Sequence, residues 1–143
     1  IMAAAVGDFR PIEQSSEKIK KNGRVNIDLR LTSNPDILAW AGAHKTAGQT
    51  LCGFAMETQD LESNAAKKLT SKHCSMLVAN NLNTPGAGFA VDTNVVTVLK
   101  PGETTDEPII EHWNKMSKQE LAERILTELA ALRNTESAES QAS

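Results

Sequence analysis

The feature that most constrains this sequence is an alternation of short apolar runs with segments of helical periodicity. The runs at 1–6, 51–55 and 76–79 are continuously apolar, which is typical of strands buried on both faces of a sheet. Residues 25–31 alternate with the strand period of two, and residues 94–99 are rich in β-branched side chains. Because strands that alternate with helices pair in parallel through right-handed crossovers, the sequence predicts an α/β fold.

Two helices are predicted between these strands. The first takes Ser33 or Asn34 as its N-cap and Pro35 as its first residue, and the second begins at residue 58 or 60 and continues to residue 72. A Pro-Gly turn after residue 99, followed by an apolar segment at 109–112, indicates a possible antiparallel hairpin. The predicted fold is a Rossmann-like, mainly parallel sheet with flanking helices and a possible antiparallel edge hairpin.

The last helix has the clearest local signal. Ser117 and Glu120 have the spacing of a capping box. An apolar face then follows at Leu121, Ile125, Leu129 and Leu132. A chain of 143 residues has room for one domain, expected at 1–133, and residues 134–143 are expected to form a frayed polar tail.

The composition argues against nucleic acid and membranes as partners. The chain has 15 Lys and Arg against 18 Asp and Glu, and only 3% of its residues are aromatic. No apolar run approaches the ~20 residues that a membrane-spanning helix needs. Cys52 and Cys74 have no metal-site spacing, so we expect buried free thiols, as in a protein of the reducing cytoplasm.

Polar residues follow the predicted strands that end at residues 6, 55 and 79. In open α/β sheets, ligands bind beyond the carboxyl ends of the strands. Asp8 at such an end either holds a ribose hydroxyl or Mg²⁺, or it stabilises a turn. Phe54 either covers a base or belongs to the core, and Glu57 is either a metal ligand or an exposed charge.

Two groups of lysines indicate a site for a polyphosphate, although each also has a structural explanation. The first group stands in a predicted flap at about 8–23 and the second near the end of the second helix. The groups are Lys18, Lys20 and Lys21, and Lys67, Lys68 and Lys72. The alternatives are a solvated surface for the first group and favourable contact with the helix dipole for the second. Likewise, the backbone amides of Asn34, Pro35, Asp36 and Ile37 mark either an anion site at a helix N-terminus or a simple cap.

Five blocks of residues, taken in order, resemble one family. They are Ala3-Ala4-Ala5-Val6-Gly7-Asp8-Phe9-Arg10-Pro11; Lys18-Ile19-Lys20-Lys21; Asn34-Pro35-Asp36-Ile37; Gly53-Phe54-Ala55-Met56-Glu57-Thr58 with Lys68, Lys72 and Val78-Ala79-Asn80 behind it; and Phe89, Asp92 and Asn94 before Ser117-Lys118. Together they resemble the phosphopantothenoylcysteine synthetase family, the C-terminal half of the bifunctional coenzyme A biosynthesis protein. The resemblance covers nearly the whole chain apart from its tail.

The resemblance implies a ligase that joins 4′-phosphopantothenate to L-cysteine in the cytoplasm. CTP, bound with Mg²⁺, activates the carboxylate as an acyl-cytidylate, and the cysteine amine then displaces CMP. By resemblance, Lys18 is the catalytic flap lysine. The implied CTP-contacting residues are Asp8, Lys18, Asn34, Pro35, Asp36, Ile37, Phe54, Lys68 and Lys72. No residue pattern distinguishes CTP from ATP.

The resemblance also implies a homodimer, and it implies that the N-terminal half of the synthetase and the FMN-binding decarboxylase domain are missing from this sequence. We therefore expect no flavin here. The alternative to a complete ligase is a non-catalytic fragment that binds nucleotide or mediates dimerisation.

Overall fold

A computed structural model of the chain describes residues 1–23, 25–81, 83–87, 91–103 and 107–141, with side chains as far as residue 135. Phe89, one of the residues of the family blocks, lies outside the described residues. The chain divides into two compact units, a smaller one at Ala4–Ile37 and a larger one formed by Ile1–Ala3 and Leu38–Ser143.

The smaller unit contains one two-stranded antiparallel sheet, formed by β1 (Phe9–Pro11) and β2 (Leu31–Ser33). The strand predicted at 25–31 is therefore wrong except at its last residue. Its alternating apolar side chains stay in solvent, and Val25 is 95% exposed. Beyond Pro11 the pairing continues with a backbone hydrogen bond from Ile12 N–H to Arg30 O over 3.0 Å, but residues 25–30 are not part of a strand. An alternating pattern without a buried face does not produce a strand.

The larger unit has one sheet with helices on both faces. Along the chain follow α1 (Ile37–Ala43), β3 (Cys52–Glu57), α2 (Leu61–Ser71), β4 (Met76–Asn81), β5 (Thr93–Lys100), β6 (Ile109–Ser117) and α3 (Lys118–Gln141). The strand order is β3-β4-β5-β6. β3 and β4 are parallel and connected through α2, whereas β4–β5 and β5–β6 are antiparallel. The predicted α/β class and its antiparallel edge hairpin are confirmed.

Two apolar layers hold the sheet between its helices. On one face, Leu121 and Ile125 of α3 pack in one core cluster with side chains of all four strands, among them Met76 and Trp113. On the other face, Leu69 of α2 packs in a second cluster with side chains of β3, β4 and β5. Each buried Leu or Ile contributes roughly 1.5–3 kcal/mol to stability, so both helices are fixed to the sheet by their apolar faces.

The capping box of α3 is confirmed. The backbone N–H and the hydroxyl of Ser117 donate to Glu120 Oε2 over 2.9 and 2.8 Å, and Glu120 N–H donates back to Ser117 Oγ over 3.1 Å. These hydrogen bonds lower the pKa of the Glu120 carboxyl, since they favour its charged form. α3 continues to Gln141, so residues expected to form a frayed tail from 134 onward are helical up to that point.

The apolar run at 1–6 was expected to be a buried strand, and this prediction is wrong. Met2 forms an isolated parallel bridge with Gly53, donating its N–H to Cys52 O over 2.9 Å. Ile1 and Val6 are both largely exposed. Because Met2 meets β3 at the edge of the sheet, the run has a strand on only one side, and burial on both faces does not arise.

The free-thiol prediction is confirmed. Both cysteines are buried and unbonded to each other. Burial raises the pKa of the Cys52 thiol to about 12, because the interior disfavours the thiolate. The Cys52 side chain therefore stays a neutral part of the core at neutral pH.

A charged network joins β5, β6 and α3 at the side of the sheet. Lys100 Nζ lies 2.5 Å from Glu111 Oε1 and 3.1 Å from Glu128 Oε2, and the Lys100 side chain is only 14% exposed. Trp113 Nε1 donates to Glu111 Oε2 over 3.0 Å. The hydrogen bonds from Lys100 and then Trp113 lower the pKa of Glu111. Burial by itself would lower the pKa of Lys100, but its bonds to the two carboxylates outweigh burial and raise it.

This network predicts that the free energy of unfolding decreases as the pH falls into the acid range, a decrease that we call the acid limb. A carboxyl whose pKa is lowered by folding stabilises the fold above its unfolded pKa, about 4.3, and this contribution is lost as the pH falls through the folded pKa. We expect Glu111→Gln to remove roughly 1 kcal/mol at neutral pH and to flatten the decline below about pH 4, as seen in urea unfolding at several pH values. Glu123→Gln, on the exposed face of α3, is the matched control. An unchanged acid limb in Glu111→Gln would contradict the assignment.

Candidate functional site

The carboxyl ends of the two parallel strands meet in one polar edge. Glu57 and Asn81 are the last residues of β3 and β4 and stand opposite each other in the register. Asn83 connects the loops that follow the two strands, since its Nδ2 donates to Thr58 O over 3.3 Å and its N–H donates to Asn81 Oδ1 over 2.9 Å. We call Glu57, Asn81 and the side chains that contact them the rim.

A charged pair with an amide beside it forms the centre of the rim. Lys68 Nζ lies 2.6 Å from Glu57 Oε1, and Asn64 Nδ2 lies 3.4 Å from Glu57 Oε2. Asn64 and Lys68 stand four apart on α2, so they share one face of the helix. Helical side chains point back toward the N-terminus, which brings Lys68 up toward the end of β3. Sequence reasoning missed Asn64, although its spacing from Lys68 was the available signal.

Lys72, predicted to act beside Lys68, lies farther from the rim. It caps the end of α2, where its N–H donates to Lys68 O over 3.0 Å, and the chain then continues into β4. Because β3 and β4 are parallel, α2 must run back from the carboxyl end of one strand to the start of the other. Lys72 therefore lies on the side of the sheet where β4 begins.

Phe54 is 39% exposed, so it is not a core residue of the kind that sequence reasoning allowed as the alternative. Side chains of a strand alternate between faces, which puts Phe54 on the α3 side with Cys52, and Glu57 on the α2 side with Ala55. Met56 on the same side as Phe54 is also exposed. The predicted base contact and the predicted phosphate contact Lys68 thus belong to opposite faces of β3.

Asn34 holds the start of the smaller unit together. Its Nδ2 donates to Gly7 O over 2.6 Å, its Oδ1 accepts from an Arg10 guanidinium nitrogen over 2.9 Å, and its N–H donates to Asp8 O over 2.8 Å. The side chain is committed to these bonds instead of to a helix cap. α1 accordingly begins at Ile37, two residues beyond the predicted first residue Pro35.

The other predicted contacts of the smaller unit are exposed. Asp8, Pro35, Asp36 and Ile37 all face solvent, and so do Lys18, Lys20 and Lys21 of the predicted flap. Within that flap, β1 occupies Phe9–Pro11, and residues 12–23, all of them described, form neither helix nor strand. The structure brings Asp8 and Asn34 together through their backbones, and it brings Lys68 to Glu57 in the larger unit.

Among the described residues, no group of three or more His, Cys, Asp or Glu side chains is arranged to hold a metal ion. Glu57 has the oxygen ligands that Mg²⁺ prefers, yet Lys68 and Asn64 already contact both of its oxygens. The described helices also include none long and apolar enough to cross a membrane.

The sheet between two helical layers, with polar side chains at the ends of its parallel strands, defines an α/β domain with a charged rim. The family model for the C-terminal domain of the DNA/pantothenate metabolism flavoprotein matches residues 1–132. The chain belongs to this family.

Curated relatives, among them the following two, match nearly the whole chain. The coenzyme A biosynthesis bifunctional protein CoaBC of Bacillus subtilis (strain 168) is 43% identical over 134 residues, which cover 92% of this chain and 31% of the relative. A cysteine/cysteine sulfinic acid decarboxylase from an unknown prokaryotic organism is 40% identical over 133 residues, covering 92% of this chain and 35% of the relative. The chain spans about a third of the length of either protein.

Solved structures share the fold, among them the following two. The C-terminal domain of a CoaBC protein superposes with a TM-score of 0.66 at 28% identity, covering 92% of this chain and 53% of that one. A Cab2 variant in complex with phosphopantothenate-cysteine also has a TM-score of 0.66, at 20% identity, covering 97% of this chain and 45% of that one. At this lower identity the likeness is one of fold.

Proposed function

We propose that this chain is the nucleotide-binding portion of a phosphopantothenate–cysteine ligase that uses CTP to activate the carboxylate of 4′-phosphopantothenate. The observation that carries the proposal is the family match over residues 1–132. A CoaBC protein is among the relatives, and a Cab2 variant of the same fold binds phosphopantothenate-cysteine. Both of these similar proteins support a pantothenate-derived substrate for this chain.

The rim supplies the electrostatic part of this function. Lys68 is 45% exposed at the carboxyl end of β3, where ligands of α/β sheets bind, so its ammonium is within reach of a nucleotide phosphate. Phe54, exposed on the other face of the same strand, offers an apolar surface for the base. A CTP that used both residues would cross the end of β3, with its base on the α3 side and its phosphates on the α2 side.

Mg²⁺ in this proposal arrives with the nucleotide. Magnesium commonly binds through substrate phosphates and one or two carboxylates, and it keeps several waters. It would supply charge neutralisation for the leaving pyrophosphate. By resemblance, Asp8 is the carboxylate among the nucleotide contacts that would approach it, while Lys18 of the flap would add a positive charge on a flexible side chain.

Calorimetry with CTP and Mg²⁺ tests the nucleotide site. We expect Lys68→Gln to weaken CTP binding roughly tenfold, since a charge-assisted contact to phosphate is lost. Lys67→Gln is the matched control, because Lys67 is the neighbouring exposed lysine of α2 and the net charge changes equally. Equal affinities of the native chain and both variants would show that the rim does not bind CTP. ATP in place of CTP measures the base preference.

The alternative function is a non-catalytic piece that binds nucleotide or mediates dimerisation. It is motivated by the span of the chain, about a third of its curated relatives. Pyrophosphate release by this chain with CTP, phosphopantothenate and cysteine separates the two. Turnover rules out the inert fragment, and CTP binding without turnover supports it.

A further inference from the structure

The Lys68–Glu57 pair has one buried and one exposed partner. The Glu57 side chain is 14% exposed, whereas that of Lys68 is 45% exposed, and only 2.6 Å separates Lys68 Nζ from Glu57 Oε1. The carboxylate is held at its second oxygen by Asn64 Nδ2, which also donates to Gln59 O over 3.2 Å. Glu57 is therefore the fixed partner, and Lys68, on a flexible four-carbon stem, is the partner that can turn toward a ligand.

The charge of Glu57 acts against any phosphate that Lys68 binds. An ammonium group has three donors, so Lys68 can contact a phosphate oxygen while it stays near Glu57. The carboxylate and the phosphate are then two negative charges that contact the same ammonium, so they lie close enough to repel each other strongly. This repulsion is larger than the binding free energy that Glu57 contributes by orienting one exposed lysine side chain. The repulsion between Glu57 and the phosphate therefore weakens phosphate binding more than the orientation of Lys68 by Glu57 strengthens it.

We propose that Glu57 is a built-in counterion of Lys68 that keeps the rim nearly neutral when empty and limits its affinity for polyphosphates, including pyrophosphate. The inference rests on the proposed function, because it assigns Lys68 to the phosphates of the nucleotide. Its consequence is a rim from which the pyrophosphate leaving group departs readily. Glu57 is thus a determinant of ligand affinity that acts through Lys68.

Binding of inorganic tripolyphosphate to the full chain, measured by calorimetry with EDTA present, tests the proposal. Glu57→Gln keeps the shape of the side chain and an oxygen that can accept from Lys68, but it removes the charge. We expect this variant to bind tripolyphosphate roughly three- to tenfold more tightly than the native chain, with the gain shrinking at high salt. Orthophosphate, which carries less charge, should gain less.

Two further variants complete the test of the counterion role. Glu62→Gln, an exposed carboxylate of α2, controls for the change in net charge and should alter the affinity less than Glu57→Gln. Glu57→Ala removes both charge and orientation, and it should also tighten binding. If Glu57→Gln binds as the native chain does, or if Glu57→Ala weakens binding, the counterion role is wrong and Glu57 positions Lys68 or does nothing.

Failure of the rim itself gives a different result. If neither the native chain nor Glu57→Gln binds tripolyphosphate, or if Lys68→Gln leaves the affinity unchanged, then Lys68 does not contact phosphate. The counterion role then falls together with the assignment of Lys68 to the phosphates of the nucleotide. If Lys68→Gln weakens binding while Glu57→Gln leaves it unchanged, only the counterion role falls. Thermal unfolding followed by circular dichroism verifies that each variant is folded.

Discussion

Replacing Gly42 by alanine is expected to destabilise the larger unit by about 3 kcal/mol or more, although alanine is the better helix former. Gly42 is buried in α1, and a Cβ built on it would lie 1.9 Å from the carbonyl oxygen of Lys72 and 2.8 Å from its carbonyl carbon. Ordinary Gly-to-Ala substitution inside a helix gains about 1 kcal/mol. The clash exceeds this gain because the atoms it meets are backbone, which no side-chain rotation can clear.

The segment that Gly42 contacts has little freedom to move aside. Lys72 N–H donates to Lys68 O over 3.0 Å and His73 N–H to Thr70 O over 3.1 Å, so both residues are bonded into the end of α2. His73 also has a positive φ of 50°, a conformation that a non-glycine residue keeps only under constraint from its surroundings. A movement of Lys72 and His73 away from α1 would therefore break the C-terminal cap of α2.

Urea unfolding followed by circular dichroism measures the effect. Ala43→Gly, at the exposed last residue of α1, is the control and should cost at most about 1 kcal/mol. If Gly42→Ala were as stable as the native chain, the close approach of α1 to the end of α2 would not exist in solution.

The centre of the sheet could be predicted from the sequence because its strands carry a local signal. The apolar run that became β4 is buried on both faces over Met76–Ala79, and the β-branched run that became β5 lies between two neighbouring strands. The capping box of Ser117 and Glu120 is equally local, since its donors and acceptors stand three residues apart. In these places, pattern and tertiary environment agree.

The sequence predictions are wrong where the local structure depends on contacts with residues that are distant in sequence. The run at 1–6 is as apolar as β3, yet it meets the sheet at an edge and stays exposed. Asn34 has the residue type of a helix cap, but Gly7 and Arg10 take both ends of its amide. Likewise, the spacing of Lys68 and Lys72 gives a shared helix face. It does not show that Lys68 contacts Glu57 at the end of β3 while Lys72 lies one turn farther along, at the C-cap of α2.

The sequence permits two roles for Glu57, a metal ligand or an exposed charge. In the structure its side chain is only 14% exposed and contacts Lys68 and Asn64. The contacts of Glu57 depend on how α2 packs against β3, because the two residues that contact its side chain stand seven and eleven positions away in sequence. The family resemblance implies that Lys68 contacts CTP, and the lysine group to which it belongs indicates a phosphate site. Only the distances within the larger unit link that lysine to a carboxylate.

Lys18→Gln is expected to slow the activation of phosphopantothenate roughly 10²- to 10³-fold, the usual cost of losing one charged group that stabilises a transition state. Lys18 stands in the exposed segment 12–23 and carries its charge on a flexible stem, so it can approach negative charge that develops as CTP is attacked. This role is inherited from the resemblance. For this role, the Lys18 ammonium must stabilise the transition state more than it stabilises the bound substrates.

The rate of pyrophosphate release with CTP, Mg²⁺ and phosphopantothenate, measured with and without cysteine, isolates this step. In the proposed reaction, activation precedes the attack by cysteine, so we expect Lys18→Gln to lower the rate in both cases. The affinity for CTP should fall less than about tenfold, because a group used mainly in the transition state changes kcat more than ground-state binding. Lys21→Gln, an exposed lysine of the same segment, is the matched control.

The two kinetic quantities separate three outcomes. A lower rate with nearly unchanged CTP affinity supports a catalytic Lys18. A parallel loss of affinity and rate would make Lys18 a binding residue, with its charge used equally before and during the reaction. Equal effects of Lys18→Gln and Lys21→Gln on the rate would mean that the flap contributes only its summed positive charge, because interchangeable lysines provide attraction without a defined contact to the reacting group.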